Sequence, residues 1–205
     1  MTVEELIRRA RSALGQGIRY ELGAGLDPDD PMPGGTAKAC DCSGFVLWAL
    51  REPRRFGQGV NAPWIDTSWM WNETEKRKTL FRTERTPRPG CLVVYPDDVI
   101  AAQGHVALVT EVEDGAVRRI IHCSSVNARL EGEAILETEP PQPGDAAPPD
   151  LAVLKRLVER ASQPGDLTPR PEEAPLRARA TRGLAWFGWI PPEKLKFVWP
   201  VGLDG

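Results

Sequence analysis

The chain has 205 residues, 41% hydrophobic and 27% charged, with a formal charge of −3 at pH 7. That length supports a single domain with one well-buried core and an elaboration, and the charge balance offers no basic excess to hold nucleic acid. No eighteen apolar residues run together and the first residues are acidic rather than leader-like, so no membrane span is expected and a cytoplasmic protein is.

The four cysteines, at 40, 42, 91 and 123, are too few for a disulfide framework, and a chain of this size does not need one. From Val3 to Leu14 the residues Leu6, Ile7, Ala10 and Leu14 share one helical face with arginines opposite. Thr2 and Glu5 form a capping-box pair, and Gly15 and Gly17 end the segment. A short stretch, Ile18 to Gly25, leads to a Pro-, Gly- and Asp-rich loop from Leu26 to Ala37. Next comes Ala39-Cys40-Asp41-Cys42-Ser43-Gly44-Phe45, which turns into an apolar helix with Phe45, Val46, Ala49 and Leu50 on its buried face and Pro53 as its end. Cys42 stands at the helix N-terminus, where unpaired N–H groups and the dipole favour a thiolate. The competing expectation is an inert, buried thiol. Residues 61–72 carry Trp64, Trp69 and Trp71 in a short helix or aromatic loop, expected either to fill the core or to wall a substrate cleft.

Beyond Pro89-Gly90, Cys91 to Tyr95 reads as a buried strand, with a turn at Pro96-Asp97-Asp98. His105 to Val112 and Val117 to Cys123 flank Glu113-Asp114-Gly115 as a β-hairpin. A loop at Asp114-Gly115 sets His105 opposite Ser124; a loop at Glu113-Asp114 sets it opposite His122. Either register leaves both histidines, the only two in the chain, on one sheet face. Residues 132–182 differ in composition, with Pro-rich borders around a helical stripe of Leu151, Leu154, Leu157 and Val158, and are expected to be an excursion from the main sheet. Leu184 to Ile190 and Lys196 to Val201 are expected to return as closing strands.

A cysteine with two histidines suits nucleophilic catalysis. Cys42 would attack a carbonyl, His105 would take its proton and return one to the leaving amine, and His122 would orient the first ring. The Cys42 backbone N–H, helped by the Tyr20 hydroxyl, would receive the oxyanion, each such donor being worth roughly 2.7–4 kcal/mol.

These residues resemble the NlpC family of papain-like cell-wall cysteine peptidases. The resemblance is carried by Asp41-Cys42-Ser43-Gly44-Phe45, by Gly104-His105-Val106-Ala107-Leu108-Val109 and by His122. Smaller matches at Ile18-Arg19-Tyr20 and Pro89-Gly90 support it over roughly residues 3–125. It implies an α+β papain-like fold: an antiparallel β-sheet, N-terminal helices packed against it and the nucleophile at a helix N-terminus. It also implies hydrolysis of amide bonds in peptidoglycan stem peptides, γ-D-glutamyl bonds among them, by a monomer with no cofactor or metal. Tyr20, Asp41, Ser43 and Trp69 are the expected oxyanion and substrate-binding residues. Cys91 stands where the family usually carries aspartate, and the loops at 26–39 and 53–88 exceed a minimal member's. A wall substrate and the absence of a leader together point to cytosolic recycling, a specialised secretion route or phage lysis.

Two rival readings come from other classes. A zinc module could draw on Cys40, Cys42, His105, His122 and Cys123, although Cys-x-Cys is tighter than usual zinc spacing and His122 and Cys123 alternate across a strand. A catalytically idle binder of wall fragments would keep the fold alone.

Overall fold

Strands β4 (Leu92–Ile100), β5 (Gln103–Glu113) and β6 (Ala116–Cys123) form the meander on which everything else packs. The computed structural model describes residues 1–25, 27–57, 59, 61–76, 78–100, 103–139 and 194–204. Leu92, Val93, Val94, Val106, Leu108, Ile120 and Ile121 are buried, so the strands read as apolar runs because both faces are covered. Strands β3 (Phe81–Glu84), β7 (Ile135–Thr138) and β8 (Lys196–Pro200) complete a six-stranded sheet in the order β3-β8-β4-β5-β6-β7, with every pairing antiparallel. The fold is thus α+β with an antiparallel sheet, as expected and as a papain-like fold requires.

The hairpin turns at Asp114-Gly115, with Glu113 opposite Ala116, and Asp114 and Gly115 both have positive φ, as a tight turn between right-twisted strands needs. Two irregularities follow, Val112↔Val117 giving way to Glu111↔Arg119 and then to Val109↔Ile120. They compensate, because Leu108↔Ile121 restores the starting register. The first of the two expected registers is therefore the one adopted, and the histidines keep their common face.

Helix α1 (Val3–Arg11) has the expected capping box, Thr2 Oγ1 accepting from Glu5 N–H and Glu5 Oε2 from Thr2 N–H. It stops at Arg11, three residues before Leu14, and Ala13 is buried beyond it. Helix α2 (Cys42–Leu50) is buried at every position, not on one face only, because it lies between α1 and strands β5 and β6. It ends when Arg51 adopts a left-handed conformation, before Pro53 is reached. Helix α3 (Thr67–Lys76) packs on β3 and β4; it begins six residues after the start of the expected aromatic segment and runs four residues past its end.

Several described elements have no counterpart in the sequence reading, among them β3, β7, the short helix α4 (Ser125–Glu131) and a two-stranded parallel ribbon, β1 (Arg19–Tyr20) with β2 (Ala39–Cys40). Since β7 belongs to the main sheet, the expected excursion from residue 132 is corrected: residues 135–138 pair with β6. The expected helix around Leu151–Val158 and the strand at Leu184–Ile190 lie outside the described residues, whereas the returning strand at Lys196 is β8, inserted between β3 and β4. Among the described residues no helix is long and apolar enough to cross a membrane.

Candidate active site

Asp41 caps α2 and gathers the local structure around its carboxylate. Its Oδ1 accepts from Gly44 N–H at 2.7 Å and from Ser43 Oγ at 3.1 Å, and its Oδ2 from Gly23 N–H at 2.8 Å. Arg54 donates to both oxygens, at 2.7 and 2.6 Å, as a bidentate pair buried to 3% exposure on each side chain. The Arg54 guanidinium also lies 4.8 Å from the Trp64 ring centre. One carboxylate thus ties the start of α2, the loop after β1 and the chain beyond α2 into a single unit. Gly44 is required there, because a Cβ would collide with Ala24 O and press on Arg54 Nη1.

Cys42 is the first residue of α2, and the backbone N–H groups of Val106 and Ser43 act on its thiol in the direction that favours the thiolate. Val106 follows His105 on β5, one of the strands on which α2 packs. Gly104, just before His105, lets the head of α3 approach β5: a Cβ there would strike Thr67 Oγ1 and Tyr95 O. His105 Nε2 lies 2.7 Å from His122 Nδ1, with the rings 5.0 Å apart and near perpendicular at 75°. His122 Nε2 in turn lies 3.2 Å from Asn127 Nδ2 on α4. All three side chains are buried.

The thiolate expected at the helix start is corrected by the electrostatics. Burial, followed by the charge of Asp41, pushes the Cys42 thiol up to about 12, outweighing the Val106 N–H, the Arg54 charge and the Ser43 N–H, which act downward. Burial likewise pushes His122 down to about 4, and burial with its neighbour His122 holds His105 well below the ordinary imidazole range. At neutral pH the resting site therefore holds a protonated thiol and two neutral imidazoles. A neutral imidazole can accept the thiol proton; an imidazolium could not.

Both tyrosines of the chain flank this centre. Burial raises the Tyr20 hydroxyl, and the nearby Cys42 and Asp41 reinforce the shift, so it remains a neutral donor. Tyr95, which the sequence reading placed in the core only, is raised by burial and by Cys42, and its ring centre is 6.1 Å from that of His105.

A cleft of about 290 Å³ opens over the helix start, lined by Tyr20, Gly23, Asp41, Cys42, Ser43 and Arg54 on one side and by Trp64, Asp66, Thr67, Ser68, Asp97 and Gly104 on the other. Of the expected binding residues, Tyr20, Asp41 and Ser43 line it, with the Asp41 carboxylate and the Ser43 hydroxyl engaged with each other. Trp69 does not line it: its ring packs on Phe56 at 5.2 Å and Phe81 at 6.5 Å, and Trp64 stands at the cleft instead. A larger hollow of about 580 Å³, between α1 and Arg51, carries no cysteine or histidine.

The ligands of the rival zinc module do not converge. Cys40 Sγ meets Cys123 Sγ at 3.5 Å while the histidines pair with each other, and among the described residues no three His, Cys, Asp or Glu side chains form a set that could hold a metal ion.

A buried cysteine at a helix start, set against a histidine-bearing antiparallel sheet, is the arrangement of a papain-like cysteine hydrolase. Residues 32–125 match the family model of the CHAP domain, a papain-like cysteine peptidase and amidase domain found in cell-wall hydrolases. The matched segment contains both the Cys42 and the His105 motifs on which the resemblance to cell-wall cysteine peptidases rests, and is consistent with it. No curated protein matches the chain. Asn127 and Arg54 escaped the sequence reading. Arg54 sits in an Arg-Arg pair that reads as solvent-facing charge, and Asn127 in a helix too short to leave a periodic signal.

Proposed function

We propose that the protein hydrolyses an amide bond in a peptidoglycan stem peptide or a related γ-glutamyl peptide, with Cys42 as nucleophile, His105 as base and acid, and His122 as the orienting group. The observation that carries this reading is the 2.7 Å contact between His105 Nε2 and His122 Nδ1 on a sheet whose strand β5 packs against the helix that starts at Cys42. Because the resting thiol is neutral, proton transfer to His105 accompanies attack instead of preceding it. The sulfur bonds to the carbonyl carbon and the oxyanion takes donors from the Cys42 backbone N–H and Tyr20. The amine leaves with the proton held on His105, and water then cleaves the thioester by the reverse proton path. The γ-D-glutamyl bond is the preferred target. Action as a monomer, from the cytoplasm or after delivery to the wall by a secretion or lysis route, belongs to the same proposal.

The test is incubation with defined muropeptides and identification of products by mass. Cleavage after D-glutamate supports the endopeptidase form. Release of the whole stem peptide from muramic acid makes the enzyme an amidase of the same family. Cys42→Ala should abolish either activity while leaving peptide binding within a few-fold, and turnover unchanged in that variant would end the cysteine-hydrolase reading.

A further inference from the structure

Asn127 is 5% exposed and is aimed at the far nitrogen of His122, so that three buried groups stand in a row: His105, His122, Asn127. The chain path explains the meeting. Strand β6 ends at Cys123, Ser124 caps α4 by accepting from Val126 N–H, and the first turn of α4 brings Asn127 back over His122. Each link admits one proton, and each neutral imidazole has one N–H and one lone pair, so the direction of one hydrogen bond dictates the next.

With the amide nitrogen against His122 Nε2, as the structure places it, Nε2 must be the acceptor. His122 then carries its proton on Nδ1 and donates to His105 Nε2, and His105 is left with its proton on Nδ1. That nitrogen is the one not engaged with His122, and a protonated Nδ1 cannot take the thiol proton. The opposite direction is forced once the proton has moved. An imidazolium at His105 has an N–H at both nitrogens, so Nε2 donates to His122 Nδ1, His122 carries its proton on Nε2, and an amide NH₂ facing it would set two donors together. A half-turn of the Asn127 amide exchanges nitrogen for oxygen without changing its shape.

We propose that Asn127 is a positioning residue that presents its amide oxygen to Nε2 of His122 and thereby fixes the tautomer in which His105 Nδ1 is the base. This rests on the reading of Cys42 and His105 as a thiol–base pair, and it adds a fourth member outside the residues that the sequence assigns. An acceptor is what the position needs; a donor or an apolar side chain leaves the chain of protons without direction.

The chain has only two histidines, so the tautomers are directly readable by long-range ¹H–¹⁵N correlation spectra of the intact protein. In the wild type and in Asn127→Asp, both rings should show the Nε2–H form. Asn127→Leu, similar in shape but unable to accept, should lose that preference at His122. On a γ-glutamyl stem peptide its kcat should fall by about ten- to a hundredfold, the consequence of leaving the buried His122 Nε2–H without an acceptor when the proton reaches His105, with KM little changed. Asn127→Asp should keep kcat within a few-fold. A wild-type His122 in the Nδ1–H form, or tautomers in Asn127→Leu identical to those of the wild type, would overturn the proposal. Should Asn127→Leu fail to fold, the wild-type and Asn127→Asp spectra decide alone. If the wild type hydrolyses no amide while its tautomers are as stated, the functional reading fails and the proton direction stands.

Discussion

Arg54 has its charge spent inward. Its two Nη atoms hold Asp41, its ring partner is Trp64, and at 3% exposure no water can replace either contact. Removing one partner of such a pair leaves the other charge buried, a loss of about 3–5 kcal/mol. Arg54→Met should therefore lower unfolding stability by that order, whereas Asp41→Asn/Arg54→Met should cost much less than the two single changes together, since neither side then carries an unpaired charge. Urea unfolding of the four proteins gives the coupling, and additive losses would show the pair to be dispensable to the helix start. The buried histidines give a second outcome at this scale. Unfolded imidazoles bind protons near 6.5 but folded His122 only near 4 and His105 also well below its ordinary value, so between these limits the unfolded chain takes up protons that the native one refuses. Stability is whole above about pH 6.5 and drains as pH falls toward 4, by on the order of 3 kcal/mol for His122 alone. His122→Gln should flatten this dependence, and an unaltered slope in denaturation from pH 7 to 4 would count against neutral burial.

Glu73 shows how elements rather than residues place the cleft. It lies on α3 at 3% exposure, and its carboxylate accepts the backbone N–H groups of Thr79, Leu80 (3.1 Å) and Phe81 (3.0 Å), which closes the turn from α3 into β3. The other end of α3 supplies Thr67 and Ser68 to the cleft, so the same helix joins the sheet edge to the substrate side. Glu73→Ala leaves three backbone donors without their partner, that of Phe81 buried and those of Thr79 and Leu80 nearer the surface, and should cost about 1–3 kcal/mol per orphaned group that water fails to reach. The loss should appear in the melting temperature, with Cys42 chemistry less affected in whatever fraction stays folded. This contact also marks where the sequence stops being legible. The Cys42 helix, the 114–115 turn and the shared face of the two histidines rest on local rules, namely capping, turn geometry and strand parity, and these could be read. Strand β3 is four residues long with two exposed arginine and threonine positions, β7 is four residues within a Glu-rich stretch, and α4 is seven residues with no apolar stripe. Each exists because a distant partner completes it, and no local pattern announces a distant partner. The same limit explains the thiol: a helix start can be read from sequence, but the burial that overrides it at Cys42 comes with the packing of α2 on β5, β6 and α1, which no local pattern announces.

At the scale of the molecule, the family match ends at residue 125, yet the sheet that carries His105 does not. Strand β8, beginning at Lys196, lies between β3 and β4, with Thr83 opposite Val198 on one side and Leu92 opposite Val198 on the other. Val198 and Trp199 are buried, and the Arg88 guanidinium covers the Trp199 ring at 3.4 Å. The chain ends then meet: Val3 N–H donates to Asp204 O at 3.2 Å and Asp204 N–H to Met1 O at 3.1 Å, so β8 also anchors the start of α1, which in turn packs on the cysteine helix. Loss of an interior strand differs from loss of an edge. It would strip both neighbours of their ladder bonds, expose the apolar face of β4, and leave β3 with no partner in the sheet. A chain ending at residue 193 is therefore expected to lack a cooperative thermal transition and to aggregate, although it retains Cys42, His105, His122 and the whole matched segment. Adding back β8 as a peptide spanning residues 194–205 should restore part of the near-ultraviolet circular dichroism by strand addition. A truncated chain that melts cooperatively and still cleaves muropeptide would mean that the site is supported by the matched segment alone, and that the interior position of β8 contributes little to the fold.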